Sequence, residues 1–391
     1  MMIGNGSYIK KINKSFIIEK IIEYQTISRA DLSKITGLNK TTVSAQVAEL
    51  LEEELVYETQ SDYNLVGRKP VMLSIKKDSG YILGIDFDYK KTQMVISNLV
   101  GSIIEQKTFY FETEDYKEII SLLANKIISY TSKYSQSTYG LISCIIGVHG
   151  TVSNSETIQL ISKYQWSNIS FKKDIEELTT IPIIIENNAN LSALAEKVYY
   201  YNDTSPLLSI NLSSGIGAGR IIDWKIDKGY QGFAGEMGHM IIHPDGPKCT
   251  CGQYGCWELF AAEDSLFTQL SKSLNKKIST IDDLKQLLNA DRPDIKQIIQ
   301  KYFFYISIGL KNIINLYNPG IIVLNSRLLT AFPNPIEQIT KSFTFNAHSY
   351  EKIVLSKLGK KSCVLGGCAL GIMQFFGISR LPLNNSDYIN Q

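Results

Sequence analysis

His239, Cys249, Cys251 and Cys256 bring one nitrogen and three sulfur donors into an eighteen-residue stretch. Zinc prefers four tetrahedral sulfur or nitrogen ligands, and cysteines this close together seldom pair as disulfides in a reducing compartment. The spacing predicts one zinc ion per chain. Four protein ligands leave no position open for a catalytic water, so the ion's role is structural. Gly246, Gly252 and Gly255 interleave with the ligands and let the backbone fold closely around them. His243 is a competing ligand, but residues 240–243 read as a strand that leaves it exposed. The plain alternative is three incidental loop cysteines. The remaining cysteines, Cys144, Cys363 and Cys368, sit in apolar contexts such as LISCIIG and read as buried hydrophobes.

A second set of chemistry-bearing residues lies near the N-terminus, in SRADLSKITGLNKTTVSAQVAELL. Ser28 and Asp31 form a capping pattern for a short helix whose Leu32 and Ile35 face inward. Gly37 marks a tight turn, and Asn39 caps a further helix with Val43, Val47 and Leu50 on its inner face. Asn39, Lys40, Thr41, Thr42, Ser44 and Gln46 are then left facing outward. Lys and Thr reach phosphates, while Asn and Gln can pair with an adenine edge in the major groove. Two short helices across a glycine turn suit a helix-turn-helix. The strands that follow, LVYETQ and PVMLSI, make its wing, and Arg68 and Lys69 beside Gly67 form a basic tip suited to a minor groove. The plain alternative is a small bundle with a solvated polar face.

The elements needed to hold these groups follow from pattern. An earlier helix, beginning near Lys11, would bury Ile12, Phe16, Ile17 and Ile21. From Tyr81 onward strands alternate with helices: YILGIDF, TQMVISN and SIIEQKT, a helix over 115–133, LISCIIGV, PIIIEN, a helix over 189–200, a long helix over 294–317, and GIIVLN. This alternation favours two α/β lobes. With 391 residues, 44% apolar and 20% charged, the chain has the length and composition of a soluble multidomain protein. It has no apolar run of membrane-spanning length, and its opening residues lack a secretory signal, so a cytoplasmic location is expected. The net charge of +2 is uninformative, but residues 1–48 carry seven basic against three acidic side chains, a bias placed where DNA would bind.

The run GFAGEMGHMIIHPDGPKCTCGQYGCWELFAA, preceded by LSSGIGAGRII, resembles the signature region of the ROK family of bacterial sugar kinases and sugar-responsive repressors. ISRADLSKITGLNKTTVSAQV and GRKPVML resemble the DNA-binding half of its repressor branch, and the likeness is greatest to the xylose-responsive members. The resemblance implies an N-terminal winged helix-turn-helix (1–76) joined to a two-lobed, actin-like and ribonuclease H-like sugar-kinase fold (77–391). The lobes would span about 80–200 and 205–391, with the C-terminal helix able to return to the first. It implies a sugar held in a cleft by Gly150, Asn187, Asn188, Glu236, His239 and Glu258, with His239 offering one ring nitrogen to zinc and the other to the sugar. It implies double-stranded operator DNA and free xylose as partners, and a homodimer that could pair into a tetramer.

The same resemblance implies no catalytic residues. Kinases of the family carry an aspartate as general base where this chain has Asn188, and an amide accepts no proton near neutral pH. Their phosphate loop is of the Asp-x-Gly-Gly-Thr type; here the equivalent stretch is Asp86-Phe87-Asp88-Tyr89-Lys90, without glycines and with an added negative charge. Ser213–Gly219 is glycine-rich but reads as scaffold. The alternatives are an active sugar kinase with an accessory DNA-binding domain, and a repressor answering to glucose or an N-acetyl sugar.

Overall fold

The computed structural model describes residues 6–60, 70–289, 292–341, 343 and 350–383. They group into two compact units. The first comprises Met1–Asn187, Lys197–Asn202 and Cys363–Gln391; the second comprises Asn188–Glu196 and Asp203–Ser362.

The first unit begins with three helices, Gly6–Tyr24, Arg29–Thr36 and Lys40–Glu52. Ser28 caps the second, accepting the amide of Asp31, and Asn39 caps the third by accepting that of Thr42. Gly37 ends the second helix at φ 71°, a left-handed conformation that favours glycine. A three-stranded sheet completes a winged helix: Ile27–Ser28 and Val56–Gln60 both pair antiparallel with Val71–Ile75. Ile17, Ile21, Leu32, Val43, Val47, Leu50 and Leu73 are fully buried between these elements. Two apolar residues depart from expectation. Ile12 is 49% exposed, in a helix start where residues 6–12 are exposed on every face, and Ile35 is 40% exposed.

Also in the first unit is a five-stranded sheet in the order Ile183–Asn187, Leu141–Val148, Tyr81–Asp88, Lys91–Asn98, Ile103–Tyr110. The first three strands run parallel and the others antiparallel. The Tyr116–Lys133 helix contributes Ile119, Leu123 and Ile127 to the core on one face. On the other lies the C-terminal helix Ser362–Phe376, close enough that a Cβ on Gly84 would meet the Val364 carbonyl at 2.2 Å. A strand covered on both faces reads as an unbroken apolar run, as LISCIIGV does.

The second unit holds another five-stranded sheet, ordered Lys225–Ile226, Ile216–Ile222, Leu207–Leu212, Ile321–Asn325, Lys352–Leu355. The long Pro293–Tyr317 helix buries Ile295, Ile299, Phe303, Ile306, Leu310 and Ile313 at three- and four-residue intervals. Residues 240–243 form no strand: Ile241 makes a lone bridge to Cys256 after a single turn at Met237–His239. A second isolated bridge joins Lys248 to Tyr254 within the loop. No helix among the described residues is long and apolar enough to cross a membrane.

Candidate functional site

The metal-ligand cluster assembles in the second unit. One donor atom from each of His239, Cys249, Cys251 and Cys256 lies within 4.8 Å of all the others. His239 Nδ1 is 3.6 Å from Cys249 Sγ, and Cys251 Sγ is 3.6 Å from Cys256 Sγ. A tetrahedron built on zinc–sulfur bonds of about 2.3 Å has edges of about 3.8 Å. The donor set and its spacing therefore fit a single tetrahedral metal ion. Among the described residues it is the one such group. His243 stays outside it, exposed and stacked on Phe260.

The loop is fastened to the core by a residue that sequence reasoning passed over. Trp257, directly after the last ligand, is fully buried and donates its indole N–H to the Tyr305 carbonyl at 2.8 Å. Its ring presses so closely on Gly309 that a Cβ there would lie 2.0 Å from the indole. The signal was an isolated glycine inside a helical pattern, which marks a close approach.

Of the expected sugar residues, Glu236, His239 and Glu258 come together at this loop, Asn188 lies elsewhere in the second unit, and Gly150 and Asn187 belong to the first. His239 turns Nδ1 toward Cys249 and Nε2 toward Glu236, 3.9 Å from its Oε2. Glu258 Oε1 accepts from the Cys249 thiol at 3.2 Å and lies 3.5 Å from His239 Nδ1. One imidazole thus joins metal ligands to two carboxylates. Asn188 opens the Asn188–Tyr199 helix. In the first unit, Asn187 ends its strand and donates from Nδ2 to the Gly150 carbonyl at 2.9 Å. Gly150 cannot carry a side chain, since a Cβ would meet the Leu160 carbonyl at 2.3 Å.

Asp86–Asp88 end their strand and Tyr89–Lys90 turn away from it, with two of the backbone amides there already hydrogen-bonded. A phosphate loop works by aiming free backbone amides at the anion. Here the Tyr89 amide donates to Asp88 Oδ1 at 2.7 Å, and the Lys90 amide donates to the Tyr164 hydroxyl at 2.9 Å. Beside it stands His149, another residue the sequence reading did not single out. Its Nε2 is 2.8 Å from Asp86 Oδ1, and its Nδ1 is 3.8 Å from Asp88 Oδ1. Burial opposes the charged ring, but the two aspartates outweigh it and hold the imidazole above its ordinary pKa. Its position at the end of a buried strand, next to Gly150, was the available clue. In Ser213–Gly219, Gly219 packs against the Ala189 carbonyl, 2.4 Å from where a Cβ would be, as expected of scaffold.

On the reading helix, Asn39, Lys40, Thr41 and Ser44 are exposed and Thr42 partly so. Asn39 spends its side-chain oxygen on the Thr42 amide. Gln46 corrects the outward assignment: it is 4% exposed and its Oε1 has no hydrogen-bond partner. It lies next to Val47 and three residues beyond Val43, so the apolar stripe sweeps over it. Arg68 and Lys69 lie outside the described residues.

A winged-helix head on a body with the fold of sugar kinases, carrying a His/Cys3 cluster, defines a transcription regulator built on a kinase scaffold. Residues 82–373 match the ROK family. The chain is 35% identical to the xylose repressor of Bacillus spizizenii, over 97% of this chain and 100% of that protein. It is 34% identical to the xylose repressor of Bacillus subtilis, over 96% and 98%. Among solved structures it is similar to a ROK family transcriptional regulator, a homologue of the Escherichia coli MLC protein. The TM-score is 0.80 at 24% identity, over 94% of this chain and 97% of that one. It also resembles a ROK family glucokinase from Streptomyces griseus, solved with glucose and AMPPNP, with a TM-score of 0.63 at 20% identity over 74% and 99%. The kinase thus lacks a counterpart to about a quarter of this chain. The chain belongs to the ROK family, and within it to the non-enzymatic repressors of sugar operons.

Proposed function

We propose that this chain is a cytoplasmic repressor of a xylose-utilisation operon, binding a palindromic operator as a dimer and leaving it when free xylose binds. The observation that carries the reading is full-length likeness to xylose repressors, head included, on a chain whose Tyr89 and Lys90 amides are occupied by Asp88 and Tyr164. Gly150, Asn187, Asn188, Glu236, His239 and Glu258 are the sugar contacts. Carboxylates and amides can together satisfy the many directional hydrogen bonds of sugar hydroxyls. Zinc on His239, Cys249, Cys251 and Cys256 fixes the imidazole by its Nδ1 and leaves Nε2 for the sugar, so the ion braces the wall of the site. Lys40, Thr41, Thr42 and Ser44 face the major groove, Asn39 presents the helix N-terminus to a phosphate, and Arg68 and Lys69 supply basic side chains suited to a minor groove. Sugar favours the conformation with the weaker grip on DNA.

Calorimetric titration with xylose, glucose and N-acetylglucosamine tests the effector. Xylose should bind and the others should bind far more weakly. Silence with xylose alongside tight binding of N-acetylglucosamine would support the second reading. That reading is favoured by a 22% match to the N-acetylglucosamine repressor of Escherichia coli O6:H1, over 84% of each chain.

A further inference from the structure

Within the first unit, one strand carries a candidate effector residue beyond one end and a clamp on the reading helix at the other. Leu141–Val148 is followed by His149 and Gly150, whose carbonyl holds Asn187. It is preceded by Thr138, Tyr139 and Gly140. The Tyr139 hydroxyl donates to the Glu53 carbonyl at 2.8 Å, and Thr138 Oγ1 donates to Glu54 Oε2 at 2.5 Å.

Glu53 is the C-cap of the reading helix. Glu54 follows at φ 56°, a left-handed conformation unfavourable for a residue with a Cβ. Lys76 holds the same Glu54 carboxylate at 3.1 Å. The hydrogen bonds from Thr138 and Lys76 keep that carboxyl below its usual range. Tyr139 is itself fixed: its amide donates to the Ser79 carbonyl at 2.7 Å, and its ring meets Phe375 edge-on at 5.0 Å. The strand between spans about 26 Å at roughly 3.3 Å per residue. It is hydrogen-bonded on both sides, by Ile183–Asn187 and by Tyr81–Asp88, so it moves as a stiff element.

We propose that Tyr139, seconded by Thr138, is the positioning residue through which sugar occupancy reaches the reading helix. A shift of Gly150 on sugar binding would be carried along the strand and alter the grip on Glu53 and Glu54. This inference rests on the sugar contacts assigned under Proposed function.

The test compares full-length parent, Tyr139→Phe and Thr138→Ala. Phe keeps the ring against Phe375 and removes only the hydroxyl. Operator binding is titrated with and without xylose on the promoter fragment beside the protein's own gene, and xylose binding is measured by calorimetry. Expected is unchanged xylose affinity in both variants, with the factor by which xylose weakens operator binding falling about fivefold or more in Tyr139→Phe and less in Thr138→Ala. A residue that merely held the fold together would lower the melting temperature and leave that factor alone. A parental response with an unchanged factor in both variants overturns this inference alone. A parent whose operator binding ignores xylose overturns the proposed function, and this inference with it.

Discussion

His239 places Nδ1 3.6 Å from Cys249 Sγ while its Nε2 lies 3.9 Å from Glu236 Oε2. The ring is therefore shared between a metal-ligand cluster and a carboxylate expected to hold sugar. Metal analysis should return about one zinc per chain. A Cys251→Ser variant should lose most of it and respond to xylose at least about tenfold less sensitively. Full sugar response without bound metal would separate the two roles of His239.

By the family resemblance Asn188 stands where the kinases carry a general base, but an aspartate there should not revive chemistry. Asn188→Asp supplies a proton acceptor, yet the Tyr89 and Lys90 amides remain occupied by Asp88 and Tyr164. Coupled-assay turnover of ATP with a sugar panel should stay at background. Steady turnover would show that the occupied Tyr89 and Lys90 amides are not what silences the chain.

The reading helix separates two kinds of polar residue. Lys40→Ala should weaken operator binding evenly across sequences and reduce the salt slope of log Kd by about 1. Gln46→Met should do the opposite of what its exposed neighbours do. It removes a buried oxygen without a partner, so stability should rise by about 1 kcal/mol with operator affinity within about twofold. Loss of specific binding in Gln46→Met would return that side chain to the DNA face.

Helices and strands were largely legible because their apolar periods are clean: the 115–133 expectation meets Tyr116–Lys133 with Asp115 as its cap, and LISCIIGV is a strand throughout. The metal ligands were legible because sulfur and imidazole donors so close in sequence have few other uses. Gln46 was misjudged because the inner stripe of a helix packed on several sides is wider than three positions, and polarity alone does not report burial. Trp257, His149 and Tyr139 went unnoticed for a different reason. Their partners Gly309, Asp86 and Glu53 are 52, 63 and 86 residues away in the chain, and no local pattern records such pairings.

Glu196 sets a pH dependence of stability. It is fully buried, its Oε1 accepts from Ser356, and its Oε2 has no partner. Burial pushes its carboxyl up to about 7, against the opposing pull of Ser356 and Lys357. A raised carboxyl favours the folded state below the unfolded value of about 4.5, and that contribution is lost as pH rises through about 7. Glu196→Gln should match the parent near pH 4 and be more stable by roughly 2 kcal/mol at pH 8. Denaturation midpoints across that range, if parallel for both proteins, would place the ionised carboxylate in water.

Under the proposed function, free xylose loosens this chain from DNA. Fluorescence anisotropy of a labelled fragment from the promoter beside its own gene, titrated with the full-length protein at fixed salt, measures this directly. Tight, saturable binding that weakens by about tenfold or more in saturating xylose, and not in glucose or N-acetylglucosamine, is the predicted result. Binding that is identical with and without xylose would contradict it.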